Sequence, residues 1–315
     1  MQNANQSPST WHRLVEEKVN RRSLLKGLAA SSAAAISLVA PLELRSAAQA
    51  EGLQATVKSP RANPRLLFSP IGPTAEDELV LPEGYSYQVV AAWEDVIGEG
   101  MTVGYNHDWV GYFPIDLLEK GVNLANIHTG FLPSDASNDE GLLVINHAYI
   151  SPLYVSGYDE NVEGAVKTPE MIALEQDGVG MTIVHIARNA EGAWEIVQDA
   201  PENRRLTGTT PMILTGPAAE IDGGPEVIGT LANCSGGMTP WGTALSCEEN
   251  FQDYPVEAPD GYGWDAETYS KRHYGWVVEV DPFDPTSTPR KHTAMGRFRH
   301  ENVAIRVGED GTVVA

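Results

Sequence analysis

Residues 181–197 read MTIVHIARNAEGAWEIV and predict a β-hairpin. The run Met181–Ile186 is mostly apolar and β-branched, the polar turn Arg188–Gly192 follows it, and Trp194–Val197 supplies a second run. Two short runs of this composition around a polar turn that contains glycine are typical of paired antiparallel strands. The stretch therefore indicates a β protein, and the rest of the chain has the same rhythm.

Short β-rich runs bounded by Gly, Pro, Asn or Asp recur, and no long helical periodicity interrupts them. The other runs are Tyr85–Ala92, Gly141–Asn146, Gly275–Val280 and Val303–Val307. We expect Gly275–Val280 to form a second hairpin, after the turn Asp281–Pro285, with a strand near His292.

This alternation of strand, polar turn, strand and long loop predicts an all-β fold, a β-propeller, with a β-sandwich-like arrangement as the alternative. Because the chain stops at Gly311–Ala315 within a predicted strand, we expect the propeller to be incomplete, with an open sheet edge.

Length and charge limit the class of protein. The chain has 315 residues, 42% of them hydrophobic, which is enough for a substantial core. Its 21 Lys and Arg against 43 Asp and Glu give a formal charge of -22, which argues against non-specific nucleic-acid binding because phosphate backbones require a basic surface. Such a surface favours a soluble monomer, and its oxygen atoms suit calcium.

The first fifty residues predict an export signal. Arg21 and Arg22 precede an apolar, alanine-rich stretch at Gly27–Leu42, and Ala48–Ala50 has the small-x-small pattern of a cleavage site. We expect residues 1–50 to be a twin-arginine signal peptide for the twin-arginine export machinery; a retained anchor or a basic amphipathic helix is the alternative. The apolar stretch is short for a membrane span, so no stable span is expected after cleavage.

Export by this route places the mature protein in the periplasm or outside the cell. The twin-arginine route carries folded proteins, often with a cofactor already inserted. Export by this route therefore favours a bound metal. Residues 51–80 are rich in Pro, Ser, Ala and Gly and predict a linker or an extended arm, which leaves residues 81–315 as the main domain.

Both cysteines lie in residues 233–251, NCSGGMTPWGTALSCEENF. In an oxidising compartment Cys234 and Cys247 can form a disulfide. Alternatively, Cys234 is a metal ligand, since the glycines after it allow unusual backbone angles and close approach to a ligand. A thiolate among carboxylates suits iron. The residues alone leave the two readings open; Cys247 is the better candidate for a small buried residue.

Other loops place carboxylates and amides where calcium could be bound. Asn106 and Asp108 lie in GYNHD, Asn146 precedes His147, and Glu301 follows His300. The alternatives are ordinary turn residues for the asparagines and structural histidines for His107, His147 and His300. The sequence contains no GxxxxGK[ST], HExxH, GxSxG or CxxC motif, so a serine nucleophile has no motif to support it.

Taken together, these segments resemble the PhoX-type alkaline phosphatases. The resemblance runs from about residue 80 to the end and includes the signal segment; its stretches are NRRSLLK, GYNHDWVGYFPI, EGLLVINHAY, NRRLTGTTPMILTGPAA, NCSGGMTPWGTALSCEENF, YGWVVEVDPFDP and GRFRHENVA. It implies an exported phosphomonoesterase on a β-propeller, with clustered Fe³⁺ and Ca²⁺ ions and small phosphate esters as substrates.

The resemblance also implies roles for single residues. Cys234 matches an iron ligand, Glu248 or Glu249 and Glu301 match acidic ligands, and Asn106, Asp108 and Asn146 fall in loops that would bind calcium. Arg297, Arg299 and His300 are candidates for phosphate contacts because arginine can bind phosphate bidentately; surface solvation is the alternative.

Two departures from the family accompany these roles. Ala148 stands where the family commonly has glutamate, and family members are about twice this length, so part of the metal cluster is expected to be missing. Two other functions stay open: a non-catalytic, calcium-stabilised propeller or inactive fragment, and an oxidoreductase or lactonase-like hydrolase on the same scaffold.

Overall fold

The computed structural model describes residues 68–121, 132–254, 264–265, 269–308 and 310–315. The predicted signal peptide, residues 1–50, lies outside the described residues. The chain divides into two compact units, Met1–Tyr87 and Gln88–Ala315. In the first unit, residues 68–79 are exposed and form neither helix nor strand. The predicted boundary near residue 80 stays a prediction.

Strands dominate the second unit. They are β1 (Val96–Gly98), β2 (Met101–Thr102), β3 (His107–Pro114), β4 (Glu140–His147), β5 (Gly180–Arg188), β6 (Trp194–Ile196), β7 (Arg204–Leu206), β8 (Pro211–Thr215), β9 (Glu226–Ile228), β10 (Asn233–Met238), β11 (Ala244–Glu248), β12 (Val277–Val280), β13 (Arg290–His292), β14 (Arg306–Val307) and β15 (Val313–Val314).

The helices are short. They are α1 (Leu117–Lys120), α2 (Pro152–Val155) and α3 (Pro169–Gly178), with 3₁₀ turns at Ile221–Gly223, Phe251–Asp253, Lys271–His273 and Thr293–Met295. The helix α3 was not predicted. Thr168 caps it, with Oγ1 accepting from Met171 N at 3.3 Å, and Pro169 occupies its first turn. No helix within the described ranges is long and apolar enough to cross a membrane.

Two sheets position the rest of the unit. Strands β3, β4, β5 and β6 form an antiparallel meander, with β7 also paired to β5. Strands β10, β11, β12 and β13 form a second antiparallel meander, which continues through a parallel pairing of β13 with β8 to β9. The fold is therefore mainly β, and both predicted hairpins are confirmed, as β5 with β6 and as β12 with β13.

One predicted strand is wrong, and another, Val303–Val307, is reduced to β14 at Arg306–Val307. No strand forms at Tyr85–Ala92. Val90 and Ala91 instead pack, partly buried, against the cluster that contains Ile97 and Val103. Apolar composition alone does not make a strand, because a strand also needs a partner for its backbone hydrogen bonds.

The main core lies between the two meanders. Leu142 and Met181 of the first meander pack in one cluster with Ala244, Trp276 and Val278 of the second region. Alternate residues point to the opposite faces, so Ile145 and Val184 join a different cluster, and Leu245 and Cys247 another. This alternation follows the two-residue period of strands. It determines which face of each meander packs in the main core, and therefore which strand ends come together.

Candidate functional site

The site lies where four strand ends come together. β3 begins beside the end of β4, with His107 opposite His147, and β10 begins beside the end of β11, with Asn233 opposite Glu248. β10 also contacts β3 and β4. Antiparallel pairing therefore brings the GYNHD, NHAY, NCSGG and CEEN segments to one edge.

Two β-bulges face each other there. The register of β3 shifts between His107 and Val110, which places Asp108 in the bulge. The register of β10 shifts between Asn233 and Gly236, which places Cys234 and Ser235 in the bulge. Bulges re-aim side chains out of the alternating pattern and are frequent beside active sites.

The Cys234 thiol is the centre of this edge. It is half-buried and hydrogen-bonded to Asp108, and the charges of Asp108 and Glu249 act on it. Burial first, and these two carboxylates next, raise the pKa of Cys234 to about 12. Without a cation the sulfur therefore stays protonated at neutral pH.

Both cysteines are free, so the disulfide alternative is not supported. Cys247 is fully buried in β11 and packs with Leu245 and Val277, as the prediction of a small buried residue required. Burial, followed by the charges of Cys234 and Glu248, raises its pKa to about 12 as well.

The two adjacent glutamates have different surroundings. Glu248 is fully buried, accepts a hydrogen bond from Thr230 Oγ1 and pairs with Lys291. Glu249 is 23% exposed and acts on Cys234. Of the two alternatives that the sequence offered, the structure favours Glu249 as the group available to a ligand.

Glu249 has further polar neighbours. Its Oε2 accepts from Asn250 Nδ2 at 3.0 Å, and Arg299 Nη2 lies 3.7 Å from its Oε1. Asn250 Nδ2 also donates to the Tyr149 hydroxyl. Tyr149 was not predicted; burial and then the charge of Glu249 raise the pKa of its phenol, with Cys234 contributing. Tyr149 directly follows Ala148, where the sequence departs from the family pattern, and this was the sequence feature that could have indicated Tyr149.

Several predicted ligands are already bonded within the protein. Asn146 is fully buried, with its amide hydrogen-bonded to Cys234 O and its Oδ1 to Ser246. Asn106 has φ of 50°, which asparagine tolerates in turns, and its Oδ1 accepts from Tyr149 N at 3.2 Å. These contacts favour a positioning role for Asn146, whereas Asn106 is exposed and keeps accepting capacity.

The loop that carries GRFRHE borders Cys234, since Ser235 N donates to Glu301 O at 2.9 Å. Glu301 and Arg299 are exposed. Arg297 is also exposed, but its guanidinium is engaged, because it donates to Tyr274 O at 2.8 Å and to Lys271 O. His300 is buried with Nε2 bonded to Gly296 O at 3.1 Å. Arg299 is therefore better placed for a phosphate contact than Arg297 or His300.

The histidines of the NHD and NHA segments have structural roles. His147 Nδ1 donates to Tyr105 O at 2.9 Å, and its Nε2 accepts from Thr182 Oγ1 at 2.7 Å. Burial, with the charge of Arg205 second, holds the pKa of His147 well below its usual value. His107 bonds Gly104 O at 3.2 Å, and burial lowers its pKa also.

The donor chemistry at this edge fits a cation. A sulfur and carboxylate oxygens meet there, and within the part of the chain that the structure describes Asn250 Oδ1 is a buried acceptor without a hydrogen-bond partner. A bound cation would satisfy that oxygen and favour the thiolate. Among the described residues, however, no group of three or more His, Cys, Asp or Glu side chains is gathered closely enough to hold a metal.

The family description "Alkaline phosphatase PhoX" matches residues 66–315. Among solved structures, the chain is similar to "Pseudomonas fluorescens PhoX in complex with vanadate, a transition state analogue", with 28% sequence identity and a TM-score of 0.60. The match covers 74% of this chain and 45% of that one, so this chain spans less than half of the other's length. No curated protein matches.

Proposed function

Because this chain belongs to the PhoX family of alkaline phosphatases, we propose that it is an exported, metal-dependent phosphomonoesterase acting at the edge around Cys234. The observation that carries the proposal is the meeting of Cys234 and Asp108, each in a bulge, with Glu249, which directly follows β11. Small phosphate esters are the proposed substrates.

The proposed iron ligands are Cys234, Glu249 and Glu301, and Asn106 and Asp108 are proposed for calcium. The family resemblance supplies the identity of the ions, and the mixed sulfur and oxygen donors support it. Bound metal ions would neutralise the phosphoryl oxygens and lower the pKa of a water molecule. This would also reverse the field of a strongly acidic protein, which otherwise repels an anionic substrate.

Side chains of this edge also have proposed roles in binding the substrate. Arg299 is 57% exposed beside Glu249, so its guanidinium can turn to the phosphate and bind it bidentately. The Tyr149 hydroxyl accepts from Asn250, which leaves its own proton for an oxygen of the ester.

Export and the propeller architecture belong to the same proposal. We propose that residues 1–50 direct twin-arginine export to the periplasm or beyond, and that the domain is part of a β-propeller. The two four-stranded antiparallel meanders support the propeller, because such a sheet is the blade unit.

The test is hydrolysis of p-nitrophenyl phosphate by the full chain supplied with iron and calcium, with and without chelator. We expect turnover that the chelator abolishes and that Cys234→Ala lowers about a hundredfold or more. Cys247→Ala is the matched control, and it should cost only about 1–2 kcal/mol of stability. Iron-free protein with full activity would refute the role of Cys234.

The second candidate is a non-catalytic, calcium-stabilised binding domain or an inactive part of the phosphatase. It is favoured by two predicted ligands that are already bonded within the protein, Glu248 to Lys291 and Asn146 to Cys234 O and Ser246. Calcium binding without any turnover of p-nitrophenyl phosphate would support this candidate.

A further inference from the structure

A single buried amide holds the Cys234 bulge. Asn146 Nδ2 donates to Cys234 O at 2.8 Å and to Ser235 O at 3.2 Å, and Asn146 is fully buried. The bulge removes these two residues from the regular β10–β11 pairing. The asparagine therefore supplies the hydrogen bonds that their carbonyls would otherwise lack.

The amide is itself fixed by a chain of hydrogen bonds that enters the second meander. Ser246 Oγ donates to Asn146 Oδ1 at 3.0 Å and accepts from Asn233 Nδ2 at 2.9 Å. Asn233 Nδ2 also donates to Thr230 Oγ1 at 2.9 Å, and Thr230 Oγ1 donates to Glu248 Oε1 at 3.0 Å. All these side chains are buried, and a fully satisfied buried network is rigid.

Asn146 therefore connects both facing bulges to one strand, β4. Asn146 lies on β4, which pairs with β3, the strand that carries Asp108. The same side chain holds the backbone that carries Cys234. We infer that Asn146 is a positioning residue that sets the place of Cys234 relative to Asp108, rather than a calcium ligand; its catalytic meaning rests on the proposed function.

The alternative is that Asn146 serves stability alone, and the chain offers a matched control for it. Asn203 is also buried, and its Nδ2 also donates to two carbonyls, Ile97 O at 2.7 Å and Val197 O at 2.8 Å. Its Oδ1 accepts from His185 N at 2.7 Å. Replacing either asparagine by leucine adds the same bulk and removes the same number of hydrogen bonds at both buried positions.

The experiment compares hydrogen exchange and kinetics of Asn146→Leu and Asn203→Leu in the full chain. We expect exchange of the Ser235 amide, which donates to Glu301 O, to rise about tenfold or more in Asn146→Leu only. With metals and p-nitrophenyl phosphate, kcat of Asn146→Leu should fall about tenfold with KM little changed, because positioning rather than substrate contact is lost.

Equal exchange of the Ser235 amide in the two variants would overturn the inference. If Asn146→Leu does not fold, Ser246→Ala removes the hydroxyl that donates to Asn146 Oδ1 and accepts from Asn233 Nδ2, and exchange at Ser235 should still rise about threefold. Lack of turnover by the unaltered chain would refute the proposed function, whereas the exchange result would stand without it.

Discussion

Lys291 Nζ lies 2.7 Å from Glu248 Oε1, and neither side chain is exposed to solvent. The other Glu248 oxygen accepts from Gly275 N at 3.0 Å and from Trp276 N at 3.2 Å. The ammonium also donates to His273 O at 3.0 Å and lies 4.1 Å from the centre of the Tyr274 ring. A buried ion pair needs such added bonds to offset its desolvation.

Removing one partner of this pair should be far worse than removing both charges. Lys291→Met leaves an uncompensated carboxylate in the core, so we expect the free energy of unfolding to fall by about 3–5 kcal/mol. The double variant Glu248→Gln, Lys291→Met should recover most of that loss. Urea denaturation of the single and double variants measures it; no recovery would mean that the pair does not act as a unit.

The stability of the protein should depend on Glu279 in acid. Its Oε2 lies 2.8 Å from His292 Nε2, and its Oε1 accepts from Thr243 Oγ1 and Trp241 Nε1. The bond to His292 is the main cause that lowers the pKa of Glu279 from 4.5 to about 2, against the effect of burial. The folded state therefore favours the carboxylate.

Because the pKa is lower in the folded state, this stabilisation is present above about pH 4.5 and is lost as the pH falls through about 2. A shift of this size corresponds to at most about 3 kcal/mol, and solvent screening at this partly buried site lowers the contribution further. Glu279→Gln should lower the free energy of unfolding near pH 6 and make little difference near pH 2. Glu226→Gln, at an exposed carboxylate of β9, is the control, and an equal loss there would contradict the prediction.

Arg297 and Arg299 should separate stability from substrate binding. Arg299→Ala is expected to raise KM for p-nitrophenyl phosphate and to lower kcat/KM about tenfold to a hundredfold, with stability nearly unchanged. Arg297→Ala should cost about 1–2 kcal/mol of stability, because bonds to Tyr274 O and Lys271 O are lost. Steady-state kinetics and denaturation of both variants test this prediction. Loss of substrate binding in Arg297→Ala together with loss of stability in Arg299→Ala would exchange the two roles.

Local patterns were sufficient for part of the fold. The hairpin of β5 and β6 follows from alternating apolar residues around a polar turn, and Cys247 is buried where a small strand residue was expected. The parallel pairing of β13 with β8 could not be predicted, because it joins Arg290 to Ile213, two residues that are far apart in the sequence. The helix α3 had a readable start in Thr168 and Pro169 that composition alone concealed.

The candidate site was predicted as a set of segments rather than as a geometry. Sequence placed Glu248 and Glu249 together, but only the fold shows that one faces Lys291 and the other acts on Cys234. The cause is that Glu248 is the buried last residue of β11, whereas Glu249 lies beyond the end of the strand. The unpartnered Asn250 Oδ1 depends on three-dimensional contacts and has no sequence signal.

The Gly-Gly pair after Cys234 gives the last prediction. The sequence suggested that these glycines allow close approach to a ligand, but the close neighbours are protein backbone. A Cβ on Gly236 would lie 2.2 Å from Leu245 O, and one on Gly237 would lie 2.8 Å from Val303 O. Both are contacts that a real Cβ does not make, and backbone cannot give way as a flexible side chain can.

Gly236→Ala should therefore push β10 away from β11 and lower the free energy of unfolding by about 1–3 kcal/mol or more. Since Cys234 and Ser235 precede Gly236 in the same bulge, the displacement should also move the thiol away from Asp108 and reduce phosphatase activity. Gly72→Ala is the control, because a Cβ there meets nothing within 4 Å. Denaturation and turnover are measured for both, and an alanine at position 236 with unchanged stability would show that β10 and β11 can separate without cost.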